Sequence, residues 1–272
     1  MSLVTLPLMG RRRLDTLLAE RGLFESRSRA AAAVLAGEVR LGSGGARAAK
    51  PGQMVGDDEV VELDDRPAFV SRGGIKLANA LDAFGLEPAG RQALDVGAST
   101  GGFTDCLLQR GAKSVIAVDV AYGELSWKLR QDERVTVVER TNARELDGGV
   151  LPFAPDLVVV DVSFISLTKV LGPALRAAAP RFDCLALVKP QFEVGRGGVG
   201  KGGVVREAAS RRGALIAVGR FAREELGLSV LAYVSSGLPG PAGNEESFVW
   251  IAEAGRDGAV EDLEQAARRA EP

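Results

Sequence analysis

The chain has 272 residues with 34 basic and 36 acidic side chains, two cysteines and no histidine. The length buries a sizeable core without staples, and Cys106 and Cys184, both inside apolar runs, exclude a disulfide framework and a zinc site. Lack of histidine removes Ser–His and Cys–His nucleophile pairs and histidine metal sites, leaving acid–base chemistry to Asp, Glu, Lys, Tyr or Cys.

The first segment is basic despite the net charge of −2: residues 1–50 carry nine Lys and Arg against four Asp and Glu. Leu14, Leu17 and Leu18 recur at helical spacing, Ser26 or Ser28 can cap a second helix through Ala30 to Leu35, and Gly37 can close it. Short strands are predicted at Val39–Leu41 and Glu59–Leu63, with Gly42–Gly56 between them read as turns and loop. The charged, proline-bearing stretch Asp64–Pro67 is the expected domain boundary. The start, Met1–Arg13, lacks the apolar core and cleavage site of a signal peptide, and no apolar run reaches the roughly 18 residues of a membrane span. A soluble, cytoplasmic protein with no membrane or metal partner is expected.

Beyond the boundary the pattern alternates short apolar runs with helical segments. Strands are predicted at Ala93–Val96, Val115–Asp119, Val135–Val138, Leu157–Asp161, Cys184–Lys189, Ser229–Val234 and Phe248–Ala252. Helices are clearest at Ile75–Phe84, Phe103–Arg110, Leu167–Ala178 and Arg206–Leu226. Apolar runs without polar alternation, each followed by a helix, imply a parallel sheet covered on both faces, hence a doubly wound α/β domain. A loop, Gly237–Asn244, precedes the last strand in place of a helix, so that strand can run antiparallel.

The first strand runs into Asp95-Val96-Gly97-Ala98-Ser99-Thr100-Gly101-Gly102-Phe103 and then a helix, a turn that lets a ligand approach the backbone and a helix N-terminus. Asp119 ends the second strand, where an acidic residue grips a ribose hydroxyl pair in nucleotide-binding folds. The dinucleotide fingerprint G-x-G-x-x-G is absent, and the D-x-G-x-x-x-G spacing suits S-adenosylmethionine better than NAD. Asp95, Gly97, Ser99, Thr100, Gly101, Asp119 and Asn142 are therefore the candidate cofactor residues. A second cluster, Gly195 to Gly202, nearly spells a phosphate-binding loop, but Gly202 stands where a Ser or Thr would bind magnesium; it reads as a flap beside the site or a plain surface loop.

Ligands of open α/β sheets bind beyond the carboxyl ends of strands, which singles out Asp161 and Lys189. Only seven of the 34 basic residues are lysines, and lysine, unlike arginine, can give up its proton. Lys76, in Ser71-Arg72-Gly73-Gly74-Ile75-Lys76, and Glu246, in Gly243-Asn244-Glu245-Glu246, complete two lysines and two carboxylates that could alternate in one network. Taken singly, each also fits a bland role: a helix face, an N-cap or a surface charge.

The combination of Arg13-Leu14-Asp15, Ser26-Arg27-Ser28 and Gly37-Glu38-Val39 with Val70 to Lys76, Asp95 to Thr104, Asp161-Val162-Ser163-Phe164-Ile165-Ser166, Val188 to Glu193, Val199 to Gly203 and Gly243 to Glu246 resembles the TlyA family of ribosomal RNA 2′-O-methyltransferases. Members of that family, often misnamed hemolysins, join an S4-type RNA-binding module to an FtsJ-like catalytic domain. The resemblance implies an S4-type domain over 10–64, a linker over 65–69 and a Rossmann-like methyltransferase domain of about seven strands over 70–272. It implies S-adenosylmethionine as cofactor, ribosomal RNA or ribosomal subunits as partners, and 2′-O-methylation of a ribose, that of cytidine, as the reaction. The family's Lys-Asp-Lys-Glu tetrad falls on Lys76, Asp161, Lys189 and Glu246, and its Gly-Asn-x-Glu spacing selects Glu246 over Glu245. Lys189 is then the expected general base, held by Asp161 and Glu246, with Lys76 orienting the hydroxyl. RNA phosphates are expected on Arg11, Arg12, Arg13, Arg27 and Arg29. Phe164 or Phe192 can stack on an out-turned base, although core packing is the expected role of both. Some relatives carry tryptophans in the linker; here Arg66-Pro67-Ala68-Phe69 offers one phenylalanine. The alternative reading is an RNA-binding assembly factor that retains the fold without turnover; a pore-forming cytolysin has no spanning or basic amphipathic segment behind it.

Overall fold

A computed structural model describes residues 10–63, 68–146 and 148–271. The chain divides into two compact units, 1–72 and 73–272; of the expected boundary, residues 64–67 lie outside the described residues.

In the small unit, strand β1 (Arg11–Arg13) leads into helix α1 (Leu14–Glu20), followed by α2 (Arg27–Ala36), β2 (Val39–Leu41), β3 (Met54–Gly56) and β4 (Val61–Leu63). Ser26 caps α2 by accepting the Arg29 N–H at 3.2 Å, and Gly37 ends it with φ 81°. Leu14, Leu17, Leu18, Ala30, Ala33 and Val34 form the core with Val39 and Val55. β2 pairs with β4 and β1 with β3, both antiparallel. The β1–β3 pair corrects the reading of 42–56 as loop alone: three successive arginines show no strand alternation, and the ladder with Met54–Gly56 makes them extended.

The large unit opens with α3 (Arg72–Phe84), then β5 (Gln92–Val96), α4 (Gly102–Gln109), β6 (Ser114–Val118), α5 (Trp127–Arg130), β7 (Val135–Val138), β8 (Leu157–Val160), α6 (Leu171–Arg176), β9 (Asp183–Val188), α7 (Pro190–Glu193), α8 (Ala208–Arg220), β10 (Ser229–Ser235), β11 (Ser247–Ala252) and α9 (Leu263–Ala270). All seven strands form one sheet in the order β10-β11-β9-β8-β5-β6-β7. Neighbours are parallel from β9 through β7, and β11 lies antiparallel between β9 and β10, as the missing helix before it predicts. Strands β8 and β9 are buried at every residue, which is why they read as unbroken apolar runs.

Two helices differ from expectation. The segment expected as Leu167–Ala178 splits into a 3₁₀ turn, Leu167–Lys169, and α6, because Pro173 has no N–H and fits only in a first helical turn. The segment expected as Arg206–Leu226 starts at Ala208 and ends in a π-turn, Phe221–Glu225.

Candidate active site

The parallel strands end along one edge of the sheet, and the register fixes which residues meet there. Val96 pairs with Val160, so Gly97 and Asp161 come next at one level; Val188 pairs with Ser247, which sets Lys189 beside Glu246. Gly97 has φ 86°, and a Cβ on it would lie 2.5 Å from the Asp161 carbonyl oxygen, so only glycine lets these strand ends close.

Each of the two lysines has its own carboxylate, which corrects the expectation that Glu246 helps to hold Lys189: it pairs with Lys76 instead. Lys76, on α3, donates to Glu246 Oε2 at 2.5 Å, and both are buried, 6% and 2% exposed. Lys189 Nζ lies 2.6 Å from Asp161 Oδ1 and donates to Ser163 Oγ at 2.8 Å. Lys76 is thus no solvated helix face, Asp161 no helix cap and Glu246 no surface charge; Glu245, its neighbour, is exposed. A charge taken this far out of water persists only beside an opposite one. Gly240, in the loop before β11, presses on the pair: a Cβ there would lie 2.3 Å from Glu246 Oε1.

Beside these pairs a cleft of about 670 Å³ opens over the ends of β5, β6 and β8, lined among others by Gly97, Ser99, Asp119, Asn142, Asp161 and Phe164. Asp119 accepts the Ser99 N–H at 2.7 Å and the Ala121 N–H at 2.8 Å, so its carboxylate sits at the mouth of the glycine turn. Asn142 accepts the Arg144 N–H at 3.1 Å. Asp95, Thr100 and Gly101 do not line the cleft and instead build the turn. Gly101 packs under Leu125 and Leu129. Asp95 is fully buried, with Oδ2 accepting the Thr104 hydroxyl at 2.7 Å and Oδ1 unpartnered. Burial, reinforced by the Asp161 charge and opposed by Thr104, pushes the Asp95 carboxyl up to about 7.

Sequence reading missed three contributors. Ser163 lines the cleft and receives the Lys189 hydrogen bond. Glu193 accepts the Ser166 hydroxyl at 2.6 Å and the Leu167 N–H at 2.8 Å; its signal was its place at the end of the Val188–Glu193 segment, to which no role was given. Asn244 is buried, accepts the Val205 N–H and donates to the Gly203 carbonyl, both at 2.8 Å, and so ties the far end of the glycine cluster to the approach to Glu246. Phe164, for which core packing was expected, is 92% exposed with φ 65°, its ring centroid 5.3 Å from that of Phe192.

In the small unit the predicted arginines divide. Arg13 and Arg27 clasp buried Asp15 at 2.6 and 3.3 Å; burial alone would raise that carboxyl, yet the two guanidinium groups hold it below its ordinary value. Arg12 pairs with Glu20 and Asp57, and Arg11 donates to the Met54 carbonyl. Arg29 is exposed. Among the described residues no group of three or more His, Cys, Asp or Glu could hold a metal ion, and no helix is long and apolar enough to cross a membrane.

Comparison with known proteins agrees with this layout. The FtsJ-like methyltransferase family matches residues 69–253 and the S4 domain matches residues 12–61. The 16S/23S rRNA (cytidine-2′-O)-methyltransferase TlyA of Mycobacterium tuberculosis is 49% identical over 263 residues, 96% of this chain and 97% of that protein. Hemolysin A of Brachyspira hyodysenteriae is 40% identical over 72% of this chain and 81% of its own. A solved structure described as a hemolysin from Streptococcus thermophilus superposes with a TM-score of 0.71 at 38% identity, covering 96% of each chain. A match to the catalytic fold across more than half of the sequence, and a relative half identical almost end to end, lead to one conclusion: the chain belongs to the TlyA family of FtsJ-like methyltransferases.

Proposed function

We propose that this protein methylates the 2′-hydroxyl of a ribose, that of cytidine, in ribosomal RNA, with S-adenosylmethionine as methyl donor. The observation that carries the reading is the pair of lysine–carboxylate contacts at neighbouring strand ends, one of whose carboxylates, Asp161, also forms the wall of the cleft. The cleft's size and polar rim fit the donor. Asp119 is suited to the ribose hydroxyls and Asn142 to the adenine side, while Gly97 and Ser99 offer backbone to the methionine portion. When bound, the donor supplies an electrophilic methyl group on a sulfonium.

The residues of the chain do the rest. A ribose hydroxyl is a poor nucleophile until its proton leaves, and Lys189, steadied by Asp161 and Ser163, is the residue to take it. With the donor bound, the hydroxyl oxygen would take the methyl group that the sulfonium supplies, and Lys189 would hold the proton released. Lys76, fixed by Glu246, orients the hydroxyl and supports the developing oxyanion. Alignment of acceptor and donor supplies much of the rate. Phe164, held outward in a left-handed conformation, is a platform on which an out-turned base can stack. The small unit contributes phosphate contacts, with Arg11, Arg12, Arg13, Arg27 and Arg29 as the proposed set, giving affinity with little sequence choice.

The test is to map 2′-O-methylated positions in ribosomal RNA from cells with and without the gene, and to transfer label from methyl-labelled S-adenosylmethionine to RNA from the deficient cells. Loss of one or more cytidine sites in the deficient cells, restored by the purified protein, is expected. Donor binding with no transfer to RNA or subunits would instead make the protein a binding factor.

A further inference from the structure

The loop Asp161–Leu167, between β8 and the turn before α6, is fastened residue by residue to the segment Lys189–Glu193. Lys189 holds Asp161 at 2.6 Å and Ser163 at 2.8 Å, the Phe192 ring packs against Phe164 at 5.3 Å, and Glu193 accepts from Ser166 at 2.6 Å and Leu167 at 2.8 Å. In this arrangement Phe164 carries a left-handed backbone and a ring in water, two features that sterics and the hydrophobic effect both oppose. Something must hold the loop there, and Glu193 is the carboxylate that does so from outside the reacting groups. Its two oxygens are used on the loop, and it forms no ion pair among the described residues. Burial raises its carboxyl above the ordinary glutamate value, so a solvent-facing role does not explain its position.

We propose that Glu193 is a positioning residue for the acceptor nucleotide: it fixes the Ser166–Leu167 end of the loop so that Phe164 presents its ring to the base while Lys189 reaches the ribose. The proposal rests on the reading of Phe164 as a base platform given above. Glu193 touches neither RNA nor donor; it acts through the loop.

The experiment is steady-state methyl transfer by the full chain, with labelled S-adenosylmethionine and ribosomal RNA or intact subunits. Glu193→Ala should raise the KM for RNA about tenfold, leave kcat at saturating RNA within about threefold and leave donor affinity unchanged. Glu193→Gln should stay close to the parent, because its amide can accept from the Leu167 N–H and donate to the Ser166 hydroxyl. In a Phe164→Ala background, Glu193→Ala should add no further rise in KM. The proposal is overturned if folded Glu193→Ala leaves the KM for RNA unchanged, if its effect multiplies with that of Phe164→Ala, or if the Gln variant is as impaired as Ala. Should Glu193→Ala fail to fold, Ser166→Ala removes one of the two bonds and should give a smaller rise of the same kind; no rise overturns the proposal. Phe164→Ala alone tests the underlying reading: an unchanged KM for RNA removes the platform, and the proposal with it.

Discussion

The two edges of the central sheet differ in whether lysine enters their ion pairs. At the edge away from the cleft the charges are arginines: Arg91 binds Asp156 and Asp183 at 3.2 and 3.0 Å, and Arg256 binds Asp183 at 3.1 Å and Glu253 at 2.8 Å. Trp250 adds an indole N–H to Asp183 at 3.0 Å. At the cleft edge, where Arg144 lines the cleft and Arg130 pairs with Glu139 just past β7, stand also Lys76 and Lys189, two of only seven lysines in the chain. A guanidinium keeps its charge and offers a rigid fork, which suits a clamp; an ammonium carries a proton it can release. Of these ion pairs, only those of Lys76 and Lys189 hold a cation able to give up its proton.

Substitutions that exchange or delete these cations can break the contrast. The largest effect is expected for Lys189→Ala, a loss of about 10³-fold in kcat with donor affinity retained, measured by single-turnover transfer and calorimetry. Lys189→Arg should fare equally badly, and near-normal turnover in that variant would remove proton abstraction from the scheme. Next in size, Glu246→Ala strands a buried ammonium and should cost about 3–5 kcal/mol in urea unfolding. The double variant Lys76→Met, Glu246→Leu should recover much of that stability while staying inactive. At the opposite edge, Arg256→Ala should cost about 1–3 kcal/mol with kcat unchanged, since Asp183 keeps Arg91 and Trp250. The Arg256 guanidinium also holds the Glu253 carboxyl down to about 2 from an ordinary 4.5, so its contribution is present above 4.5 and lost as pH falls through about 2. The Arg256 variant should accordingly show a flatter acid limb. Asp95 gives an effect of opposite sign, spread over pH so that it is small at any one step. Its carboxyl is raised from 3.8 to about 7, so the folded state binds the proton more tightly; its contribution is full below 3.8 and fades as pH rises through 7. Asp95→Asn should remove that slope, at most about 1.4 kcal/mol per pH unit, in melting curves between roughly pH 4 and 7.

The strands of the large unit were legible because a parallel strand buried on both faces is an apolar run, and the antiparallel last strand because no helix precedes it. Strand β1 was not, since nothing in Arg11-Arg12-Arg13 signals extension until Met54–Gly56 pairs with it. The four charged residues of the cleft edge could be picked out from their places at strand ends and from the scarcity of lysine. Glu193 and Ser163 could not: their partners lie 26 or 27 residues away in sequence, and alone they are ordinary polar residues. Phe164 was misread because residue type predicts burial only where the backbone aims the side chain inward, and a left-handed φ turns this ring out.

The insertion of β11 between β9 and β10 has a consequence for synthesis. Glu246 stands 170 residues after Lys76, and its strand can take its place between β9 and β10 only when the last part of the sheet has left the ribosome. The small unit precedes the sheet in the chain and has its own core. The last strand to be made thus supplies the counter-charge without which buried Lys76 has no place to sit.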